Sequence, residues 1–563
     1  MSWLYGYFFK TGKIDRPPLR PHLHSFEAAK VEVYAGGSGK HLLHFPHPHK
    51  PGETVFILGD PILRKGADFR YPDSDDWHVL LADERHLDCL DGHWLILIAA
   101  KSEIRAYNDL LCKRSLYLYE LSDYFYFCSD ITLLKDAGLA KIDPEKMGAY
   151  WHTQFPPHQR RYAPGSFSYY QDTQMLFQRG TLLLSDQGAK ISYQVFSPDA
   201  EVQNLHKMLE NMTLLPLRAG RKVCLGLSAG MDVRPLLAII MNSGLPISTV
   251  HFGRDTTEDY RLARRIATDL GLSFRFIAER SVDTGWESVR KYMYSRGFGY
   301  NPASSCLMQY FPILAEDFDV FLGGYYGEIF RCRMMAAHFF SLFKLRTPDY
   351  RYFTGYLDLK PHSFFVPEVN LSMHKGFVHS LKDSLAQMPP PDGMPNPLWM
   401  NLFYVRYSPR SINMPDFCHL DSQINDHMPY LQASLLNQHW KYGAWAQLDE
   451  QVHRRVIREY FPQLSRYPLA LAQHSAPYNY RPYAMKILVA LKNRREKHPA
   501  PGRNEVFLRA NKEQIMALGN DSSVIGDTML DMAKVRQIIT EYYRGDTSYT
   551  NALISFISFV LGK

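Results

Sequence analysis

Ser228, Gly230 and Asp232 alternate with Ala229 and Met231 in the stretch KVCLGLSAGMDVRPLLAIIM, Lys222 to Met241. An apolar run containing Leu225 precedes them, and Leu236, Leu237, Ile239 and Ile240 follow at helical spacing. Strand, tight small-residue loop and helix form the layout of a phosphate site. Small residues let a phosphate approach the backbone, and the first N–H groups of the helix have no internal partner and point at the anion. Ser228, Ala229, Gly230, Met231 and Asp232 would supply that cradle. A carboxylate at Asp232 repels a bare phosphate, so its position implies a bridging magnesium ion, a hard cation that takes oxygen ligands. The spacing is not the GxxxxGK[ST] of a Walker loop. The same residues also suit an ordinary strand-to-helix turn.

The elements that must position this loop alternate. Val202 to Leu214 predicts an amphipathic helix, and Pro246 to Phe252 a strand ended by Gly253. Glu258 to Leu270 places Leu262, Ile266 and Leu270 on one helical face, with Gly271 as its cap. Ser273 to Ile277, a helix over Ser304 to Glu316 and a strand over Asp319 to Leu322 complete the series. Repeated strand–helix units predict a doubly wound parallel sheet that binds its ligand at the carboxyl ends of the strands. Residues 1 to about 195 differ. Trp94–Ala99, Ser115–Leu121, Tyr124–Phe127, Phe177–Leu184 and Ile191–Val195 read as short strands, the last two joined by a turn over 185–188.

The central loop resembles the SGGxDS pyrophosphate loop of asparagine synthetase and related ATP pyrophosphatases. Ser228, Gly230 and Asp232 match; Ala229 and Val233 replace a glycine and a serine. A second stretch, Val320 to Phe330, resembles the family's VLSGDGGDELF. Gly323, Glu328 and Phe330 match, whereas the two aspartates of the motif fall on Gly324 and Gly327. Glu258-Asp259, Ala263, Ala267 and Leu270-Gly271 match DExxxAxxxAxxLG. In the first domain, MSWLYGYF parallels MCGIxGxF, and Leu90–Trp94, Asn108–Tyr117 and Phe127–Asp130 resemble L-x-G-x-F, RDxxGxxPLYY and FASE.

The resemblance implies an α+β glutaminase-like domain of the N-terminal-nucleophile type over residues 1–200. An α/β ATP pyrophosphatase domain is implied over 201–480, followed by a helical extension over 481–563. It implies ATP and magnesium as cofactors, with Asp232 and Glu328 as metal ligands and Gly323 and Gly324 beside the phosphates. Backbone groups at Val250 and Gly253 would read adenine, and Lys486 would be the transition-state lysine. Arg234 or Arg331 would add positive charge. The glutaminase nucleophile is an N-terminal cysteine with its own amine as base. Ser2 and Trp3 stand where that cysteine and its glycine belong, so this domain reads as degenerate, retained for structure. The implied activity joins a carboxylate-bearing substrate to an amine or ammonia through an acyl-adenylate. A nucleotide- or partner-binding pseudoenzyme is the alternative. Beta-lactam synthetase and lasso peptide cyclase are relatives of the same kind.

Composition bounds these readings. The chain has 563 residues, 46% hydrophobic and 21% charged, enough for several cores. A net charge of +7 without a dense Lys/Arg run argues against nucleic acid. Seven scattered cysteines without a CxxC pair fit a reducing cytoplasm. Ala552 to Leu561 is apolar but too short to span a bilayer, and predicts a core-packing helix. A homodimer is a further expectation. Gly36–Lys40 resembles part of a P-loop but reads as a flexible turn, and His41, His44, His47 and His49 read as a solvated loop.

Overall fold

The computed structural model describes the chain except residues 1, 14–17, 39–40, 151–167, 178, 194–203, 280–284, 332–360, 390–393, 395, 413–417, 419, 422, 472–473 and 481–501. Its first domain stacks two antiparallel sheets. One has six strands, with Trp3–Phe9 between Tyr124–Cys128 and Val31–Gly36. The other has seven, with Leu90–Ala99 paired along its whole length with residues 54–63 of the long strand Thr54–Lys65. Period-two alternation decides what each face meets. Leu4 and Phe8 point inward with Val31, Val33, Leu95 and Leu97 into the core between the sheets. Trp3, Tyr5, Tyr7 and Phe9 point outward into a helical layer. Ile57, Trp94, Ile96 and Ile98 pack on the other side against Trp77, Leu80 and Leu81 of helix Ser74–Ala82. The result is four layers: helix, sheet, sheet, helix.

The second domain is built on a five-stranded sheet, all parallel. Its order is Ser273–Ala278, Ser248–Gly253, Val223–Gly226, Val320–Leu322 and Asn425–His427. In chain order that is 3-2-1-4-5. The order reverses between Val223–Gly226 and Val320–Leu322, and the crevice beyond that reversal is where such sheets bind ligands. Helix Val233–Ser243 leaves the first of these two strands with Leu236 to Ile240 fully buried. The expected strands and helices are present with ends shifted by a few residues. The helix expected over Ser304 to Glu316 is broken into Ser305–Met308 and Tyr310–Ala315.

Beyond residue 502, helices Arg503–Ala510, Lys512–Leu518, Ser522–Ile525, Met532–Tyr543 and Thr550–Gly562 join the layer over the first sheet. The apolar run Ala552 to Leu561 is a packed helix, as expected. Ser558 Oγ accepts from the Gly299 N–H at 2.9 Å, and Gly562 O accepts from Lys135 Nζ at 2.7 Å. Among the described residues no helix is long and apolar enough to cross a membrane.

One expectation for the first domain is corrected. The histidine segment is not a solvated loop. His44 lies in strand Leu42–Pro46 and stacks on His24 with ring centroids 4.6 Å apart. His47 is buried and its Nδ1 accepts from the N–H groups of His49 and Lys50. Pairing of Leu42–Pro46 with Thr54–Leu58 overrides the local Pro/His composition, while His49 beyond the strand stays exposed. Residues 39–40 of the Gly36–Lys40 turn lie outside the described residues.

Candidate functional site

The two motif loops, about a hundred residues apart in sequence, meet at the reversal point of the parallel sheet. Residues 227–232 follow the central strand Val223–Gly226, and 323–327 follow its neighbour Val320–Leu322. Between them lies a cleft of about 360 Å³. Ser228, Asp232, Val250, Gly323, Gly324 and Glu328 line it, with aromatic walls from Phe252, Phe321, Tyr325 and Tyr326. Six of the proposed site residues are therefore brought together. Leu225 is a buried strand residue, and Ala229, Gly230 and Met231 form the loop without lining the cleft. Gly253 faces a neighbouring cavity of about 420 Å³ walled by helix Arg503–Ala510. Lys486 lies outside the described residues.

Backbone accounting alters the expected cradle. The Ala229 N–H donates to Asp259 Oδ1 at 2.6 Å, and the Gly230 N–H approaches Ser228 Oγ at 3.3 Å. The carbonyl of Val250 accepts from the Leu227 N–H at 2.8 Å, extending the sheet ladder.

Arg234 holds the loop from behind. It is fully buried and donates to the carbonyls of Ala229 at 3.2 Å, Tyr467 at 2.7 Å and Leu464 at 3.3 Å, and to Pro468. Burial lowers its guanidinium pKa to about 10. It fastens segment 464–468 to the loop and offers no charge to the cleft.

Asp232 is the centre of a buried charge network. Its Oδ2 accepts from Arg331 Nη2 at 2.6 Å, and its Oδ1 lies 3.5 Å from His453 Nε2. Tyr430 donates its hydroxyl to the Asp232 carbonyl at 2.8 Å. Arg331 Nη1 continues to Glu450 Oε1 at 2.9 Å. Glu450 also accepts from Tyr480 at 3.0 Å and from Arg454 at 3.0 Å. Burial alone would raise the Asp232 carboxyl, but Arg331 and His453 outweigh it and hold it below the ordinary carboxylate range. Burial likewise lowers the His453 imidazole, against the pull of Asp232. Burial works against the Arg331 charge, and Asp232 and Glu450 restore it.

Two non-glycine residues of the site carry left-handed backbones. Tyr326 has φ +64 and Glu450 has φ +61, both buried. Such conformations cost about 1–3 kcal/mol and persist only where the surroundings over-determine them.

These contacts decide how the residues suit magnesium. One oxygen of Asp232 is taken by a guanidinium and the other faces His453. A Cβ on Gly327 would fall 2.7 Å from Asp232 Oδ1, and one on Gly324 would fall 3.0 Å from the Val233 nitrogen. The loops are packed too closely for carboxylates at those positions. Among the described residues no cluster of three His, Cys, Asp or Glu side chains is placed to hold a metal ion. The donor set for which Asp232 and Glu328 were expected does not fit.

Arg331 was noted in the sequence only as spare charge, while Glu450, His453, Tyr430 and Asp259 went without a site role. Glu450, His453 and Arg454 do show i, i+3 and i+4 spacing at the head of helix Gln451–Tyr460, one face of the helix.

No protein-family model and no curated protein sequence matches this chain. Among solved structures it is similar to the glutamine phosphoribosylpyrophosphate amidotransferase of B. subtilis complexed with ADP and GMP, at 12% identity over 49% of this chain and 59% of that one, TM-score 0.20. It is also similar to the U34-tRNA thiolase NcsA of Methanococcus maripaludis, at 16% identity over 32% of this chain and 80% of that one, TM-score 0.17. The NMN synthetase of Francisella tularensis aligns at 13% identity over 40% of this chain and 94% of that one, TM-score 0.17. The chain spans about three-fifths of the length of the first of these. Superpositions at such scores carry no argument, and the fold described here rests on strand order and layering.

Proposed function

We propose that this chain is an ATP-utilising enzyme of the asparagine-synthetase-like kind, a carbon–nitrogen ligase that activates a carboxylate as an acyl-adenylate. One observation carries the reading: two loops singled out separately in the sequence converge on one cleft at the reversal point of a 3-2-1-4-5 parallel sheet. In this reading the carboxylate oxygen attacks the α-phosphorus of ATP and the bond to pyrophosphate breaks. An amine then attacks the acyl carbon, AMP leaves, and a proton passes from nitrogen to solvent. The chain's contribution is orientation within a partly closed cleft. Ser228 and the helix start at Asp232 face the phosphates, and Phe252 and Tyr325 wall the rest. With Ser2 in place of the cysteine, the nitrogen comes from free ammonia or from an amine on the substrate. The pairing of two chains in a homodimer belongs to the same proposal.

The buried Asp232–Arg331 pair favours a second reading, a nucleotide- or partner-binding pseudoenzyme. Pyrophosphate–ATP exchange, run over panels of small carboxylic acids, separates the two. Exchange that depends on one acid supports the ligase. ATP binding with no exchange for any acid supports the pseudoenzyme.

A further inference from the structure

We infer that Asp232 is the partner of a guanidinium in this chain and not a metal ligand, so that the cleft works without a divalent cation at this carboxylate. Three independent features converge on this. Arg331 Nη2 sits 2.6 Å from Asp232 Oδ2 while Nη1 reaches Glu450 Oε1 at 2.9 Å, so one side chain bridges two carboxylates as a dication would. Arg331 is 7% exposed, and Glu450, its second partner, is itself held by Arg454 of the helix that follows it. Gly324 and Gly327 leave no room for added carboxylates, because a Cβ on them would fall 3.0 Å from the Val233 nitrogen and 2.7 Å from Asp232 Oδ1.

The charges close on themselves. Arg331 and Arg454 are balanced by Asp232 and Glu450, with His453 beside Asp232 and Tyr430 and Tyr480 donating into the network. A planar guanidinium presents fixed paired donors and does not deprotonate, which suits it to a permanent structural cation. A metal binding Asp232 Oδ2 would have to displace it and leave its charge buried without a partner.

Substituting Arg331 by methionine removes the bridge and releases one carboxylate oxygen of Asp232 and one of Glu450, hard donors of the kind Mn²⁺ takes. The test is thermal unfolding of the full chain with millimolar MnCl₂ as probe, for wild type, Arg331→Met and Asp232→Asn. The expected result is a wild-type Tm that Mn²⁺ leaves in place and an Arg331→Met Tm that Mn²⁺ raises by about 2 °C or more. A wild-type Tm raised by Mn²⁺, with the rise lost in Asp232→Asn, overturns the inference. If Arg331→Met does not fold, the wild type and Asp232→Asn still decide it.

The ligand half of the inference rests on the nucleotide reading above. ATP should shift the wild-type Tm equally in EDTA and in magnesium, and a shift seen only with magnesium overturns it. Absence of any ATP shift strikes the nucleotide reading, while the Mn²⁺ result on the ligand-free chain still settles the role of Asp232.

Discussion

Arg331 Nη2 and Asp232 Oδ2 lie 2.6 Å apart, joining the end of the second motif loop to the end of the first. Glu450 completes the bridge from a third segment. Arg331 and Glu450 are buried, and the Asp232 side chain, 27% exposed, is their one opening to the cleft. Removing one member of such a set leaves a buried charge unpaired. Arg331→Ala should lower unfolding stability by about 3–5 kcal/mol. Urea unfolding measures this. A loss below about 1 kcal/mol, the range of exposed pairs, would contradict the burial of the network.

The close approach of the two loops predicts intolerance at Gly327. A Cβ there meets Asp232 Oδ1 at 2.7 Å and Asp232 Cβ at 2.8 Å. Gly327→Ala should cost about 1–3 kcal/mol through overpacking and weaken any ligand that uses the cleft. Gly220→Ala is the contrasting case. Nothing surrounds that glycine, but its φ is +71, so its cost comes from backbone strain alone and leaves ligand binding intact. Paired stability and ATP-binding measurements on the two variants distinguish packing from strain.

Much of this was legible in the residues. The apolar and Tyr/Leu/Phe-rich runs at Trp94–Ala99, Ser115–Leu121 and Tyr124–Phe127 marked strands of the antiparallel sheets, and the apolar run before Ser228 marked the central strand. The fifth parallel strand, Asn425–His427, was not legible. It has three polar residues and no apolar run, and it is a strand because Phe321 and Leu322 pair with it. The Arg331–Glu450 contact joins residues 119 positions apart, a separation that leaves no local periodicity. The Val250 carbonyl accepts from the Leu227 N–H because parallel pairing runs past the end of the neighbouring strand.

The joint between the domains predicts a pH response. Lys113 and Arg114 of the first domain reach Asp421 at 2.9 and 2.8 Å, and Asp426 lies 3.9 Å from Lys113. Burial pushes the Asp426 carboxyl up to about 7, against the pull of Lys113. The unfolded chain releases that proton near pH 4. Between about pH 4 and 7 the folded chain therefore holds a proton that the unfolded chain has lost. Its contribution is fully present below that window and declines as the pH rises through it. Asp426→Asn should flatten the decline by up to about 1.4 kcal/mol per pH unit. Denaturant midpoints of the two proteins across the window test it, and parallel curves would contradict it.

Arg234 should be irreplaceable by lysine. Its guanidinium serves the carbonyls of Ala229, Leu464, Tyr467 and Pro468 together, and a single ammonium cannot span them. Arg234→Lys is expected to cost about 2–4 kcal/mol, since buried carbonyls left unsatisfied are expensive. The same variant should lose ATP binding, because segment 464–468 no longer braces the loop. Retained stability with retained binding would assign Arg234 no such role.

The most direct test of the nucleotide reading is a thermal-unfolding titration of the full chain with ATP, beside Gly327→Asp, which places a carboxylate against Asp232. At about 100 times Kd, binding stabilises the native state by roughly 2.7 kcal/mol. The prediction is a saturable upward shift in the wild type that is absent in Gly327→Asp. No shift in the wild type at millimolar ATP would contradict the account.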